Sequence, residues 1–175
     1  MAHRSTEILD RLGSGMRTGA EIGVFNGATS GRLLAREDLT LFMVDTWKGF
    51  AVDPGIVIAT HEQQQQNFLT AMEGTAFAGH RRRVLRMPSI DAARVIEDGL
   101  LDFAFIDADH SYPAVKADIC AWRPKVKAGG LLCGHDYDNP DYLFGAEVKR
   151  AVDEAVKDNG WTLDLGGDST WFVRV

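Results

Sequence analysis

The stretch FAFIDADHSY, residues 103–112, is an apolar run that changes abruptly into acidic and aromatic residues. Its first half is typical of a buried strand, and Asp107, Asp109 and His110 stand where that strand would end. Two acids and an imidazole do not stabilise the end of an interior strand, because charged groups lose hydration when they are buried. The stretch therefore predicts a buried sheet with a functional site at the carboxyl end of this strand.

Short apolar runs alternate with helical patterns along the whole chain, which predicts one α/β domain over residues 1–175. Strands are predicted at 19–25, 39–45, 82–88, 100–109, 128–136, 161–165 and 170–175, and helices at 28–37, 61–73, 89–99, 112–126 and 145–160. Residues 46–60 show no clean period and are predicted to form a long loop. Because apolar strands separated by helices form parallel sheets, we expect a mostly parallel sheet with helices on both faces.

Composition and charge argue against several classes of protein. The 175 residues are 45% hydrophobic with a formal net charge of −6, so the chain lacks the basic surface that binds nucleic acids or anionic membranes. No apolar run reaches the roughly 18–20 residues that span a bilayer, and residues 1–15 lack the apolar core of a signal peptide. Cys120 and Cys133 are expected to be reduced core residues. We therefore expect a cytoplasmic protein without a nucleic-acid or membrane partner.

A glycine-rich turn follows the first predicted strand, in the pattern Glu21-x-Gly23-x-x-x-Gly27. Glycines let the backbone approach a ligand closely, and the following helix offers free N–H groups. The spacing is not the dinucleotide fingerprint G-x-G-x-x-G, and a tight turn without a ligand fits the pattern equally well. Asp45, at the end of the second strand, favours a nucleoside-containing cofactor because a carboxylate there accepts both ribose hydroxyls.

Acidic residues mark the ends of four predicted strands: the glycine-rich turn, Asp45, residues 107–110 and the pair His135-Asp136. Chance places one or two acids at such ends, since aspartate also caps helices and opens turns. In open α/β sheets ligands bind outside the carboxyl ends of the strands. All four strand ends together therefore indicate one site on this edge of the sheet.

Four blocks of sequence resemble one known family: AEIGVFNGATS (20–30), MVDTW (43–47), FAFIDADHSYPAVKADICAWRP (103–124) and GGLLCGHDY (129–137). In that order they are similar to the class I S-adenosylmethionine-dependent methyltransferases. They most resemble the small bacterial O-methyltransferases of methyltransferase family 24, which are related to the catechol, caffeoyl-CoA and macrolide-sugar O-methyltransferases. The resemblance implies a Rossmann-like, seven-stranded sheet in which only the last strand is antiparallel.

The same resemblance implies S-adenosylmethionine as the cofactor. The glycine-rich turn would hold its methionine part with Glu21 beneath, Asp45 would bind the ribose hydroxyls, and Ser89 would contact the adenine. The implied cofactor-binding residues are Glu21, Gly23, Phe25, Asn26, Gly27, Asp45, Thr46, Ser89 and Asp107.

Methyl transfer to oxygen needs a positioned hydroxyl that loses its proton, and a divalent cation both orients a hydroxyl and lowers its pKa. In metal-dependent relatives the first acid of the fourth-strand motif is a ligand, which implies Asp107, and the fifth-strand pair implies Asp136. His135 departs from the acidic pattern; it would ligate Mn, Fe or Zn better than Mg, hydrogen-bond the substrate or cap the strand. Asp107, Asp136 and His135 are thus the expected metal residues, with Mg or Mn as the expected ion.

His110 stands where the catechol-type enzymes carry a lysine that acts as general base, and an imidazole suits neutral pH better. The resemblance thus implies His110 and Asp107 as the catalytic residues. The alternative is that His110 only caps the turn into the next helix. Asp109 would orient a ligand or the base, or serve as an ordinary turn aspartate.

The methyl acceptor is expected to be a small hydroxylated molecule. The loop around Trp47, Phe50 and Asp53 and the segment 137–145 stand where a lid would lie. The aromatic residues of that segment would line an acceptor pocket or form a contact in a homodimer; they are Tyr137, Tyr142 and Phe144.

Three hypotheses about function follow. The first is divalent-metal-dependent O-methylation of a sugar or natural-product intermediate. The second is a methyltransferase that needs no metal, acting on another atom, in which Asp107 and Asp136 bind the substrate directly. The third is a non-catalytic nucleoside-binding protein, against which the presence of His110 argues. Metal titration separates the first two.

Overall fold

The computed structural model describes residues 3–53, 56–140 and 145–175, without the side chains of residues 50–53 and 56–58. The strands are β1 Thr18–Ile22, β2 Thr40–Val44, β3 Phe50–Asp53, β4 Ile56–Ala59, β5 Arg82–Leu85, β6 Leu101–Ile106, β7 Val126–Gly134, β8 Asp164–Leu165 and β9 Trp171–Arg174. The α-helices are α1 Arg4–Arg11, α2 Ala28–Leu34, α3 His61–Gly74, α4 Ser89–Val95, α5 Tyr112–Trp122 and α6 Gly145–Asn159. Short 3₁₀ turns cover Ala76–Arg81 and Arg123–Lys125.

Seven of the strands form one sheet in the order β5-β2-β1-β6-β7-β9-β8. The neighbours from β5 to β7 are all parallel, and only β9 runs antiparallel to its neighbours β7 and β8. This arrangement confirms the predicted Rossmann-like sheet with an antiparallel last strand. The strand that follows β1, which is β2, lies on one side of it, and the later strand β6 lies on the other side. A crevice therefore opens at the carboxyl ends of β1 and β6, where the strand order reverses.

Strand β6 is buried on both faces and divides the core into two layers. Phe103 and Phe105 pack on the side of α1, α2 and α3, whereas Ala104 and Ile106 pack on the side of α4, α5 and α6. This alternation follows from the period of two in a strand, and each large apolar side chain that is fully buried contributes roughly 1.5–3 kcal/mol. Gly19 lies opposite Phe103, and a Cβ at residue 19 would lie 2.0 Å from the ring. The ring occupies that space only because residue 19 is glycine.

Helix α1 was not predicted from the sequence. His3 caps its N-terminus, because the ring Nδ1 accepts a hydrogen bond from the backbone N–H of Ser5 at 3.2 Å. Ile8 is fully buried in the same layer as Phe103 and Phe105. The packing of Ile8 holds the helix against the sheet and fixes the position of Arg4 at its first turn.

Three predictions about the fold were wrong. Residues 46–60 are not a plain loop, since β3 and β4 pair there as an antiparallel hairpin. The strand predicted at 161–165 shrinks to two residues, because Trp161 and Leu163 pack against the helical layer. Cys120 is exposed on α5, one position beyond the buried stripe that contains Ile119, while Cys133 is buried as expected.

No helix in the described ranges has both the length and the apolar character needed to cross a membrane. That the chain is a single domain over residues 1–175 stays a prediction.

Candidate active site

The glycine-rich turn and the end of β6 are packed directly against each other. Gly23 has a φ of +91°, and a Cβ on it would lie 2.0 Å from the backbone oxygen of Asp107. The backbone N–H of Asp107 in turn donates to the carbonyl of Ile22 at 2.7 Å. Gly27, with a φ of +79°, is the N-cap residue of α2, and a Cβ on it would lie 2.8 Å from the Cα of Ala71. Both glycines are therefore required by the backbone conformation and by close packing.

Glu21 lies beneath this turn and is 1% exposed. The hydroxyl of Ser30 donates a hydrogen bond to its carboxyl group. Burial raises the pKa of Glu21 to about 8, although the hydrogen bond from Ser30 opposes the shift. Glu21 is therefore protonated at neutral pH and adds little negative charge under the turn.

Asp45 joins the end of β2 to the glycine-rich turn. Its Oδ2 accepts hydrogen bonds from the backbone N–H groups of Val24 at 3.0 Å and Phe25 at 2.9 Å, and its Oδ1 accepts one from Trp47 at 2.8 Å. A carboxylate offers about four acceptor positions, so about one remains for a ligand. The predicted contact with both ribose hydroxyls would need at least one of these backbone bonds to give way.

Asp107, His110 and Asp136 meet at the carboxyl ends of β6 and β7. The Nε2 atom of His110 lies 3.3 Å from Asp107 Oδ1 and 2.9 Å from Asp136 Oδ2. One ligand atom from each of the three residues falls within 4.8 Å of the others. The imidazole thus faces two acids, and the Asp109 carboxylate accepts the N–H of Ser111, the residue before α5, at 2.8 Å.

Charges in this cluster are strongly coupled. Burial alone would lower the pKa of His110, but the hydrogen bonds and charges of Asp107 and Asp136 raise it to about 9. Burial would raise the pKa of Asp136, but hydrogen bonds from His110, His135 and Asn139 hold it well below its usual range. At neutral pH His110 is therefore a cation between two carboxylates.

His135 borders the same acids from the other side and is 8% exposed. Its Nδ1 lies 3.0 Å from Asp136 Oδ2 and 3.7 Å from Asp107 Oδ1. Its Nε2 is buried, has no hydrogen-bond partner within the described part of the chain, and lies 3.7 Å from Asp168 Oδ2. The structure thus brings His135 beside Asp107 and Asp136, as the sequence predicted, while its role as a ligand stays a prediction.

Arg4 is the site residue that sequence reasoning missed. Its Nη1 donates to Asp107 Oδ2 at 2.6 Å and lies 3.1 Å from His135 Nδ1. No local pattern signals this contact, because it joins residues 103 positions apart through a helix that was not predicted.

The hydroxyl of Ser89, predicted to contact adenine, is used inside the protein. It donates to Asp118 Oδ1 and accepts a hydrogen bond from the indole N–H of Trp122 at 2.8 Å. Burial raises the pKa of Asp118 to about 6, although the bond from Ser89 opposes the shift. Ser89 thereby ties α4 to α5, and its role toward a cofactor stays a prediction.

Two other residues predicted to bind the cofactor accept short-range hydrogen bonds from the backbone. Asn26 accepts the N–H of Ala28 at 3.2 Å, and Thr46 accepts the N–H of Lys48 at 3.3 Å. Trp47 is fully buried and packs edge-on against Phe68, so it is a core residue and not part of a lid.

The aromatic segment 137–145 is described only in part. The hydroxyl of Tyr137 is held by Asp153 at 2.7 Å and Lys149 at 2.9 Å, both on α6. Tyr142 and Phe144, and the side chains of Phe50 and Asp53, lie outside the described residues.

The sequence matches a known protein family over the residues that form this site. The family model for the methyltransferase domain matches residues 20–137, which is 118 of the 175 residues and includes the glycine-rich turn, Asp45 and the acids of β6 and β7. The chain belongs to the methyltransferase domain family. It is therefore an S-adenosylmethionine-dependent methyltransferase domain, as the resemblance found in the sequence implied.

A curated relative of this methyltransferase domain is an uncharacterized protein, y4gI, from Sinorhizobium fredii. The two are 29% identical in an alignment of 110 residues that covers 59% of this chain. The match spans about a tenth (11%) of the length of that relative.

Solved structures share the fold of the methyltransferase domain at low identity. A Staphylococcus aureus protein assigned to the caffeoyl-CoA O-methyltransferases is 14% identical, with a TM-score of 0.72 over 100% of this chain and 85% of its own. CalS11, a TDP-rhamnose 3′-O-methyltransferase of calicheamicin biosynthesis, is 19% identical, with a TM-score of 0.63 over 98% and 77%. The O-methyltransferase NovP is 18% identical, with a TM-score of 0.64 over 97% and 75%.

The donor set of the methyltransferase domain fits a divalent cation. Two carboxylates and one imidazole, from Asp107, Asp136 and His110, converge within 4.8 Å. The carboxylate oxygens of Asp107 and Asp136 suit Mg or Mn, whereas the ring nitrogen of His110 can serve as a ligand or as a base but not as both.

Proposed function

We propose that this domain transfers the methyl group of S-adenosylmethionine to a hydroxyl of a small metabolite, of sugar or natural-product type, with a divalent cation held by Asp107 and Asp136. The observation that carries the proposal is the convergence of Asp107, His110 and Asp136 beside the glycine-rich turn. The cofactor turn and the acids touch through Gly23 and the backbone of Asp107. An acceptor bound at the acids would therefore lie next to the methyl donor.

The chemistry asks little of the protein beyond positioning and proton removal. A sulfonium is a good leaving group, so the methyl carbon needs an oxygen nucleophile in line with the bond to sulfur. Asp107 and Asp136 would hold the cation that orients the attacking hydroxyl. His110 lies between them and is placed to take the proton of that hydroxyl as general base.

His110 can act as a base only in its neutral form. With Asp107 and Asp136 as its partners, the pKa of His110 is raised to about 9 and the imidazole already holds a proton at neutral pH. Bound by these carboxylates, a divalent cation would supply the counter-charge and act as a Lewis acid that lowers the pKa of an acceptor hydroxyl. A cation held by both carboxylates would thus favour the neutral form of His110.

The hydroxylated acceptor is supported by the site chemistry and by the relatives. Carboxylates and imidazoles at the strand ends recognise hydroxyl groups as hydrogen-bond partners. CalS11 is a TDP-rhamnose 3′-O-methyltransferase, which methylates a sugar hydroxyl. The first acceptors to assay are therefore nucleotide sugars and catechols.

The proposal is tested by following methyl transfer from labelled S-adenosylmethionine into that acceptor panel. Metal-stripped protein in chelator should be inactive, and Mn or Mg should restore turnover. Asp136→Asn should resist rescue by either ion, whereas Asp98→Asn, which removes an exposed acid paired with Lys125, should behave like the wild type. An inactive chelated protein that neither ion restores would contradict the metal assignment.

A second candidate, metal-independent methyl transfer, is favoured by one observation. Asp107 already has a cation of its own in Arg4, at 2.6 Å, and both acids contact His110. In this form the acids hold the acceptor directly and no cation is required. Full turnover of metal-stripped protein in chelator would establish it over the first candidate.

A further inference from the structure

Helix α1 brings a fixed positive charge to the acid that the proposed function gives to a divalent cation. Arg4 Nη1 lies 2.6 Å from Asp107 Oδ2 and 3.1 Å from His135 Nδ1. We propose that Arg4 competes with the divalent cation for Asp107, and that Asp168 receives the guanidinium when the cation binds. This inference rests on the proposed function, because it concerns the same metal site.

The competition follows from charge and from the oxygens of Asp107. Oδ1 faces His110 at 3.3 Å, and Oδ2 is taken by Arg4. A guanidinium is always protonated, so its repulsion with a divalent cation cannot be relieved by loss of a proton. Repulsion between positive charges a few ångströms apart is large in a half-buried site. The cation and Arg4 therefore cannot both hold Asp107 at full strength.

Asp168 is placed to receive Arg4. The Nε of Arg4 is buried and has no hydrogen-bond partner among the residues that the structure describes. It lies 3.9 Å from Asp168 Oδ2, which is too long for a hydrogen bond. The buried Nε2 of His135 lies 3.7 Å from the same oxygen and likewise lacks a partner there. A small shift of the guanidinium toward Asp168 would satisfy Arg4 Nε and release Asp107.

Asp168 lies on the turn between β8 and β9, and its side chain is 37% exposed. Its carboxylate is accessible enough to accept a second group without a rearrangement of the core. Arg4 is thus hydrogen-bonded to Asp107, and the carboxylate of Asp168 lies only about 1 Å beyond hydrogen-bond distance from Arg4 Nε. Arg4 and Asp168 are positioning residues in this scheme, since they act on the cation only through Asp107.

The test is the affinity of the purified protein for Mn²⁺, measured by calorimetry or by electron paramagnetic resonance of free Mn²⁺ and without any turnover. Arg4→Met should tighten Mn²⁺ binding about 10-fold, because a half-buried ion pair no longer has to be broken. Arg4→Gln, which keeps hydrogen-bonding capacity but no charge, should change the affinity in the same direction. Asp168→Asn should weaken binding about 3-fold, since the displaced guanidinium loses its partner.

The double variant separates an effect through Arg4 from a direct effect of Asp168 on the cation. If Asp168 acts through Arg4, the combination of Arg4→Met and Asp168→Asn binds Mn²⁺ like Arg4→Met alone. An equal loss from Asp168→Asn in both backgrounds would overturn the role given to Asp168.

Arg11→Met is the matched control. It removes the same charge from the same helix and breaks the ion pair with Asp164 at 2.7 Å, away from the acids. The Mn²⁺ affinity of Arg11→Met should equal that of the wild type. A 10-fold tighter affinity in this variant would show that loosening α1 alone produces the effect expected of Arg4→Met.

Two outcomes distinguish this inference from the proposed function. If the wild type binds Mn²⁺, Asp136→Asn abolishes binding and Arg4→Met leaves it unchanged, the competition is refuted while the metal site stands. If neither the wild type nor Arg4→Met binds Mn²⁺ at millimolar concentration, the metal-dependent function fails and the competition with it.

Discussion

Replacing Glu21 by glutamine should stabilise the protein at alkaline pH, by an amount that grows as the pH rises from 5 to 8. Glu21 is 1% exposed, and burial raises its pKa from 4.5 to about 8. Between these two values the folded protein keeps a proton that the unfolded chain has already released. The stability contributed by this carboxyl group is therefore fully present below pH 4.5 and is lost as the pH rises through 8.

The size of the effect follows from the shift. A change from 4.5 to about 8 is about 3.5 pKa units, and each unit corresponds to 1.36 kcal/mol, so the loss approaches roughly 5 kcal/mol above pH 8. Glutamine has the shape of the protonated acid and accepts the hydrogen bond from Ser30 without a charge. Wild type and Glu21→Gln should therefore be equally stable near pH 4.5 and diverge steadily above it.

Urea unfolding of the cofactor-free protein at pH 5, 6, 7 and 8 measures this difference, and subtracting the two curves cancels the titration of groups that do not interact with Glu21. The dependence on urea should be the same in both proteins, since neither the fold nor the buried area changes. Asp118→Asn is the control: burial raises the pKa of Asp118 only to about 6, so its difference from the wild type should level off above pH 6. A wild-type minus Glu21→Gln difference that is constant from pH 5 to 8 would refute the reasoning.

Three other substitutions test the site. Asp45→Ala should lower the free energy of unfolding by about 3 kcal/mol as well as cofactor affinity, because three backbone N–H groups lose their acceptor; normal melting would contradict this role. His110→Ala should lower kcat about 100- to 10,000-fold while calorimetry finds the cofactor Kd unchanged, and a near-normal kcat would show that the base is elsewhere. Ser89→Ala should cost about 1–3 kcal/mol in urea unfolding, since it leaves Asp118 and the Trp122 indole without their partner. If Ser89 also contacts adenine through its hydroxyl, that variant loses cofactor affinity too; an unchanged Kd would confine it to the contact between α4 and α5.

Most of the fold could be predicted because its signals are local. The strand at 101–106 is apolar except for Asp102, and its period of two places Phe103 and Phe105 in one layer and Ala104 and Ile106 in the other. The hairpin within residues 46–60 was missed because its strands are only four residues each, although the sequence Asp-Pro-Gly between β-branched residues is a typical turn signal.

The site could be predicted where its members follow strands. Asp107, His110 and Asp136 were expected to meet because the carboxyl ends of neighbouring parallel strands share one edge of the sheet, and the structure brings them together. Arg4 could not be predicted, because its contact with Asp107 depends on how α1 packs and not on any spacing in the sequence.

Competition for hydrogen bonds is equally invisible in the sequence. A strand-end aspartate such as Asp45 carries the same sequence signal whether it faces a ribose or the backbone of the next turn. The structure shows that its oxygens serve three N–H groups. The sequence thus indicates which residues lie at the site, whereas the share of their bonding capacity left for a ligand depends on their neighbours in space.

In the proposed function, the close packing of Gly23 on the carbonyl oxygen of Asp107 means that the cofactor and the acceptor share one wall of the site. Any side chain at residue 23 would push against the backbone that carries Asp107, since a Cβ would lie only 2.0 Å from that oxygen. An engineer who wishes to enlarge the cofactor pocket therefore cannot do so here without moving the acids. Changes near the acids are easier to make from α1 and the β8–β9 turn, because Arg4 and Asp168 approach the site with side chains and not with backbone.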